Sequence, residues 1–140
     1  MSLRFGTYTE FQSPRNGNHS EIIWDHIATA VQADELGYEV FTCLEHDWFE
    51  QFAVMTDPLQ LFTLMSQRTR NIRFRALCHT LPLHNPMVLA GQIALADILL
   101  QGRFEVGFGR GHAWLQDPAN IVLEESVERY PECVDILIKA

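Results

Sequence analysis

The alternation of apolar and polar positions in the first 37 residues predicts a strand, a loop and a helix. Residues 3–8 have the composition of a short strand, and residues 12–20, rich in Pro, Asn, Gly and Ser, predict the loop that follows it. Ser20 is a residue type that caps helices, and Gly37 is a typical helix stop. Between them, apolar residues recur at helical spacing, at Ile23, Ile27, Ala30 and Val31. The pattern therefore predicts a first helix of about four turns.

A second strand and helix follow in the same order. Residues 38–44 are dense in β-branched and aromatic side chains and predict a strand, which ends at the polar cluster Glu-His-Asp of residues 45–47. Asp57 places a capping carboxylate before Pro58, and an apolar stripe lies behind them. We expect this second helix to run to about Arg70.

The third unit repeats the arrangement. Residues 72–80 alternate apolar and polar side chains as a strand does, and residues 81–86 form a loop that ends in a proline suited to a helix start. Residues 86–101 then carry the apolar stripe of a third helix, closed by Gly102.

The last part of the chain predicts a fourth strand and a final helix. Residues 103–108 form the strand, which opens into the glycine-rich loop 107–111. Residues 113–120 show no helical pattern, which argues against a dinucleotide-binding turn, because that turn opens directly into a helix. The final helix is predicted over residues 124–138, and Pro131 must start it or kink it.

Strands that alternate with helices long enough for right-handed crossovers indicate an α/β fold with parallel strands. The length of 140 residues, with 47% hydrophobic content, is enough for one domain with its own core. The pattern alone leaves open a doubly wound sheet and a closed eight-fold barrel. In both folds, functional groups collect where the strands end, so the polar residues at the strand ends are the candidates for chemistry.

Composition narrows the function classes. A formal net charge of -8 offers no basic face for nucleic acid or anionic lipid, so we expect neither as a partner. The three cysteines are widely spaced, which favours reduced thiols and a cytoplasmic location. The amino end lacks the apolar core of a signal peptide, and the longest apolar stretch, residues 87–100, is shorter than the roughly 20 residues that span a bilayer.

Three motifs, in order, carry a resemblance to a known family. They are Leu-Glu-His-Asp at residues 44–47, Leu-Pro-Leu-His-Asn-Pro at residues 81–86, and Gly-Arg-Phe at residues 102–104, leading into Gly-Phe-Gly-Arg-Gly at residues 107–111. In order and spacing they resemble the N-terminal half of the bacterial luciferase-like, flavin-dependent monooxygenases. The resemblance implies that residues 1–140 are a single partial domain, the first four βα units of a TIM (β/α)8 barrel, with parallel strands and outer helices.

The same resemblance implies an activity: reduced FMN and O2 insert one oxygen atom into a small organic substrate. His46 matches the first histidine of the family's Glu-His-His signature, so the resemblance implies an acid/base role for it, in keeping with an ordinary pKa of about 6.5. From the residues alone, the alternative to an acid/base role is that His46 is a histidine at the end of a strand, hydrogen-bonded to a neighbouring group. Asp47 stands where the second histidine is usual, and it would raise the pKa of His46 if the two side chains approach.

The resemblance also implies the cofactor contacts. The bond between Leu77 and Cys78 corresponds to a cis peptide that lies against the flavin ring, although a trans strand with a buried thiol is the ordinary alternative. Gly109 and Arg110 correspond to a loop that approaches the flavin phosphate, and its glycines permit close approach of the backbone. A deazaflavin used for hydride transfer is a second cofactor that relatives of this family employ.

Further implied partners are a flavin reductase that supplies reduced FMN and a second copy of the chain. The resemblance places a homodimer interface on the helices of residues 57–70 and 86–101. Because a complete barrel takes about 250 residues, we do not expect these 140 residues to be active alone.

Two other hypotheses remain from the sequence. One is a half barrel that dimerises to cover its strand edges and binds flavin or has a purely structural role. The other is a metal-dependent barrel hydrolase with Glu45, His46, Asp47 and His79 as ligands, although no characteristic metal-binding spacing is present. No role follows for His79, His84 and His112, which we interpret as polar loop residues.

Overall fold

The computed structural model of the chain describes residues 3–14 and 17–140, so two residues of the predicted loop 12–20, and the first two of the chain, lie outside it. Strands and helices alternate as the sequence predicts. Their bounds are β1 (Gly6–Thr9), α1 (His19–Glu35), β2 (Val40–Cys43), α2 (Pro58–Ser66), β3 (Arg73–Thr80), α3 (Pro86–Leu99), β4 (Phe104–Gly109), α4 (Ala113–Gln116) and α5 (Leu123–Lys139). In the described residues, no helix combines the length and apolar character that crossing a bilayer requires.

The four strands form one parallel sheet in the order β1-β2-β3-β4. Each strand therefore pairs with the next one along the chain, and the order does not reverse within the described strands. A doubly wound sheet reverses its strand order at a switch point, whereas a βα barrel adds each strand beside the last. The observed strand order is therefore that of a βα barrel, and this chain forms four βα units of it.

The core lies between the outer helices and one face of this sheet. Phe41, Phe74 and Phe104 stand opposite one another on adjacent strands, and Phe62 of α2 packs on Phe74 with ring centroids 5.3 Å apart. Because side chains alternate along a strand, the neighbours of these residues point to the concave face. On that face, Glu105 accepts hydrogen bonds from Arg73 and Arg75.

Capping residues explain most helix starts. The Asp57 side chain accepts from the backbone N–H groups of Leu59 and Gln60, with Pro58 in the first turn, as predicted. The prediction of Ser20 as the first N-cap is wrong, because the carboxamide of Asn18 takes that position and accepts from the backbone N–H of Ser20. Helix α2 is shorter than predicted and ends at Ser66.

In the last part of the chain one prediction needs correction, and one of two alternatives is excluded. Residues 113–120 are not free of helix, since they hold α4 and a short 3₁₀ helix, Asp117–Ala119. A helix of four residues is too short to show an apolar period. Pro131 does not start the final helix, because α5 begins at Leu123 and contains the proline within it. The Tyr130 hydroxyl donates to the carbonyl oxygen of Phe108 at 3.3 Å and so ties α5 to β4.

Candidate functional site

A buried carboxylate lies at the carboxyl end of β2. Oε2 of Glu45 accepts from Nδ1 of His79 at 2.5 Å, and Nε2 of His84 lies 2.9 Å from both oxygens of the same carboxylate. Burial alone would raise the pKa of Glu45, but the hydrogen bonds from the two histidines more than offset it, so the pKa lies below its usual value. The hydrogen bond to Glu45 raises the pKa of His84. The cluster therefore stabilises a negative carboxylate inside the protein.

His79 and His84 are therefore not merely polar loop residues. His79 belongs to β3 and is fully buried, and His84 is a half-buried residue that follows a short 3₁₀ helix, Leu81–Leu83. Both were predicted without a role because their partner, Glu45, is more than 30 residues away in sequence. His84 does lie within one of the three motifs that carried the resemblance.

The ligand set predicted for a metal hydrolase does not assemble. Of its four residues, Glu45 and His79 do come together, but in the described chain their third neighbour is His84 instead of His46 or Asp47. Two ligand atoms of a tetrahedral zinc, each about 2.0 Å from the metal, lie about 3.3 Å apart. The 2.5 Å between Glu45 and His79 is a hydrogen-bond distance. The geometry is that of a proton-linked cluster.

His46 is not a member of this cluster and has aromatic neighbours. The residue is only 4% exposed, and its ring packs against Phe52 with centroids 4.4 Å apart. Nε2 of His46 accepts a hydrogen bond from the indole Nε1 of Trp114 at 3.3 Å, and Nδ1 is buried without a partner among the described residues.

Burial lowers the pKa of His46, and the nearby His112 lowers it further. The sequence suggested a raised pKa if Asp47 approached, but Asp47 is not among the groups that act on the histidine. The pKa of Asp47 is itself raised, by burial and then by Glu45. The surroundings of His46 therefore favour the neutral imidazole over the charged one.

The peptide bond between Leu77 and Cys78 is cis, as the resemblance implied. The side chain of Leu77 is 49% exposed, and that of Cys78 is half-buried. Two glycines of β4 lie against this segment. A Cβ atom on Gly107 would lie 2.8 Å from Cδ1 of Leu77, and one on Gly109 would overlap Sγ of Cys78. The glycines thus make room for the side chains on either side of the cis bond.

Arg110 follows β4 directly, at the same edge of the sheet. Its side chain is exposed and makes no hydrogen bond or ion pair within residues 3–14 and 17–140. Its carbonyl oxygen accepts from Nε2 of the buried Gln116 at 2.8 Å, which fixes the backbone of the loop against α4. The next residue, Gly111, has a φ of 78°, which favours glycine. The guanidinium is therefore available to an anion while its backbone is held.

The predicted residues thus lie at the ends of β2, β3 and β4, where strand ends converge. Trp114 is the contact that sequence reasoning missed, since residues 113–120 were given no structure and no role. The rule that strand-end loops share one edge could have placed its loop near His46.

Comparison with known proteins gives one family. A family model described as luciferase-like monooxygenase matches residues 3–140. The 3,6-diketocamphane 1,6-monooxygenase of Pseudomonas putida is 33% identical over 85 residues, which cover 61% of this chain and 22% of that protein.

Solved structures agree with the fold. The oxygenating constituent of 3,6-diketocamphane monooxygenase from Pseudomonas putida, in complex with FMN, superposes with a TM-score of 0.91 at 23% identity, over 98% of this chain and 39% of that one. The monooxygenase RslO1 from Streptomyces bottropensis gives a TM-score of 0.89 at 28% identity, over 96% and 42%. An F420-dependent secondary alcohol dehydrogenase gives 0.76 at 19%, over 98% and 41%. The chain thus spans about two fifths of the length of these structures.

Proposed function

Because this chain belongs to the luciferase-like monooxygenase family, we propose that the protein containing it is a flavin-dependent monooxygenase. It uses reduced FMN and O2 to insert one oxygen atom into a small organic substrate. The proposal concerns the whole protein, because the chain covers 39% of the length of its FMN-bound structural relative. Residues 1–140 are then a partial domain, the first four βα units of the barrel.

The observation that carries the proposal is the placement of His46, Leu77 and Cys78 at one edge of the sheet. Nδ1 of buried His46 has no partner in the part of the chain that the structure describes, and the exposed side chain of Leu77 offers an apolar surface. Such an arrangement suits a flat, partly apolar ring. Arg110 adds an exposed guanidinium in a loop that Gly109 and Gly111 keep close to β3, which suits a phosphate.

Reduced flavin would supply the electrons that activate oxygen. The residues of this chain would hold and shield it: Leu77 and Cys78 contact the ring, and Gly109 and Arg110 approach the phosphate. His46, in a wall made with Phe52 and Trp114, keeps a polar group at the reacting centre while the aromatic rings exclude water.

The test is oxidation of reduced FMN by the whole protein with substrate-dependent product formation. His46→Gln should lower kcat at least about 100-fold, the lower range for loss of a hydrogen-bonding group fixed at the reacting centre. His19→Gln is the matched control, because His19 is exposed in α1 and pairs with Glu50 at the surface. Absence of flavin-dependent turnover, or equal rates in the two variants, would contradict the proposal.

A deazaflavin-dependent oxidoreductase is the second candidate, favoured by the fold shared with the F420-dependent dehydrogenase. The two functions differ in oxygen consumption. A monooxygenase takes up one O2 per product, whereas hydride transfer to or from a deazaflavin takes up none. Measuring oxygen uptake with each cofactor separates them.

We further propose a homodimer through α2 and α3, the helices predicted at residues 57–70 and 86–101. Apolar side chains stand exposed on these helices, namely Leu64, Met87, Val88, Leu95, Ile98 and Leu99. Exposed apolar area of this extent is typical of a surface covered by a partner.

We also propose that a separate reductase delivers the reduced FMN. A cytoplasmic location completes the proposal, because the three cysteines are free and reduced thiols are typical of that compartment.

A further inference from the structure

The hydrogen bond between Trp114 and His46 joins the loop after β2 to the helix after β4. An indole N–H can only donate, so Nε2 of His46 must accept and cannot itself carry a proton. A neutral imidazole has one proton, which must then be on Nδ1. A doubly protonated His46 would place two N–H groups against each other, so this contact exists only with the neutral ring.

Both partners are held in place by neighbours. The Trp114 ring stacks on His112 with centroids 4.4 Å apart and an interplanar angle of 24°. Helix α4, which carries Trp114, is tied back by Trp48, whose indole donates to the carbonyl oxygen of Leu115 at 3.2 Å. His46 packs against Phe52 and, edge-on, against Phe49. The bond is thus set by packing on both sides.

We propose that Trp114 is a positioning residue that holds His46 in its neutral tautomer with the proton on Nδ1, so that His46 acts on the ligand as a hydrogen-bond donor. The proposal rests on the proposed function, in which His46 faces the reacting centre. Nδ1 is buried and has no hydrogen-bond partner within the described residues, so its N–H is the one polar group of the ring that is left to donate.

This assignment changes what His46 can do in the reaction. As a base it would need a free lone pair, but Nε2 is taken by Trp114 and Nδ1 carries the proton. A fixed N–H donor in apolar surroundings instead stabilises negative charge that develops on a ligand oxygen. The titratable groups that act on His46 are His112, which favours the neutral ring, and Glu10, which opposes it.

The experiment is Trp114→Phe in the whole protein with ¹⁵N-labelled histidine rings, the His46 signals being assigned by comparison with His46→Gln. Without flavin, wild-type His46 should show a lone-pair nitrogen at Nε2 and a protonated one at Nδ1. Phenylalanine keeps a ring in place but removes the donor. We expect the Nε2-protonated tautomer to increase, the titration midpoint of His46 to rise, and kcat to fall about three- to tenfold.

Trp24→Phe is the matched control, since it makes the same change at an exposed tryptophan of α1 that packs against Arg68 and leaves the bond to His46 intact. It should leave the His46 spectrum unchanged. The proposal is overturned if Nε2 is protonated in the wild type, if Trp114→Phe leaves both nitrogens unchanged, or if Trp24→Phe changes them equally. The spectra need no turnover, so loss of the proposed monooxygenase activity would be seen separately from loss of this contact.

Discussion

Oε2 of Glu45 and Nδ1 of His79 lie 2.5 Å apart, with both side chains 2% exposed. Together with His84, they tie the end of β2 to β3 and to the loop that leads into α3. A buried charge is tolerated only when it is paired and fully hydrogen-bonded, so each member of this cluster depends on the others. The cluster lies directly beside the segment that places His46 and Cys78.

Replacing the carboxylate should therefore be costly. We expect Glu45→Gln to lower the free energy of unfolding by about 3 kcal/mol or more, because the amide removes the negative charge and keeps only one acceptor oxygen for the two histidines. Glu105→Gln is the comparison, since its pairs with Arg73 and Arg75 are over a third exposed on the arginine side and should be worth about 1 kcal/mol or less. Urea denaturation measures both. Equal losses in the two variants would show that burial does not set the cost.

The cluster also predicts how stability varies with pH. The raised pKa of His84 means that its contribution is fully present below the unfolded value of about 6.5 and is lost as the pH rises through the folded value. The lowered pKa of Glu45 means that its contribution is present above about 4.3 and is lost as the pH falls through the folded value. Glu45 and His84 together should therefore stabilise the fold most between these two pH values.

His84→Gln tests the predicted loss of stability at higher pH. The difference in unfolding free energy between wild type and variant should be largest near pH 5.5 and should shrink by about pH 9, since neutral His84 loses its ion pair. Equilibrium denaturation at a series of pH values gives this difference. A constant difference across the range would mean that the charge of His84 contributes nothing.

Close packing of β4 against Cys78 of β3 predicts an unequal effect of two glycine substitutions. Gly109→Ala places a methyl group onto Sγ of Cys78 and should cost about 1–3 kcal/mol. Gly91→Ala, in the middle of α3, meets nothing within 4 Å and should stabilise the helix by up to about 1 kcal/mol. Thermal or urea denaturation compares them. Similar changes in both variants would argue against close packing of β4 on Cys78.

The proposed dimer predicts that a charge on α3 separates the subunits. Ile98→Glu, at a residue 71% exposed, would bury a carboxylate in the interface and should shift the whole protein toward monomer in analytical ultracentrifugation. Leu36→Glu is the control, because Leu36 is equally exposed but lies at the end of α1. If Ile98→Glu remains dimeric, the interface lies elsewhere.

The sequence predicted the elements well where the signal was local. Asp57 before Pro58 marks a helix start through its own side chain, and the apolar stripe behind it covers the nine residues of α2. Asn18 was missed because Ser20, two residues on, is an equally suitable cap by type. Helix α4 was missed because one turn carries no period.

The site was predicted only in part, for a related reason. The cis bond at Leu77 came from the resemblance, since no rule of residue type marks a non-proline cis peptide. The partners of His46 and Glu45 are 68 and 34 residues away, and a single sequence does not encode which strand-end side chains meet. Trp114 and His79 therefore emerged only with the fold.

The fit of Gly109 against Cys78 also constrains how this chain can diverge. The two positions share one small volume between β3 and β4, so a larger residue at one requires a smaller residue at the other. Across homologous sequences, positions 78 and 109 should therefore vary together, with the sum of their side-chain volumes more constant than either volume alone.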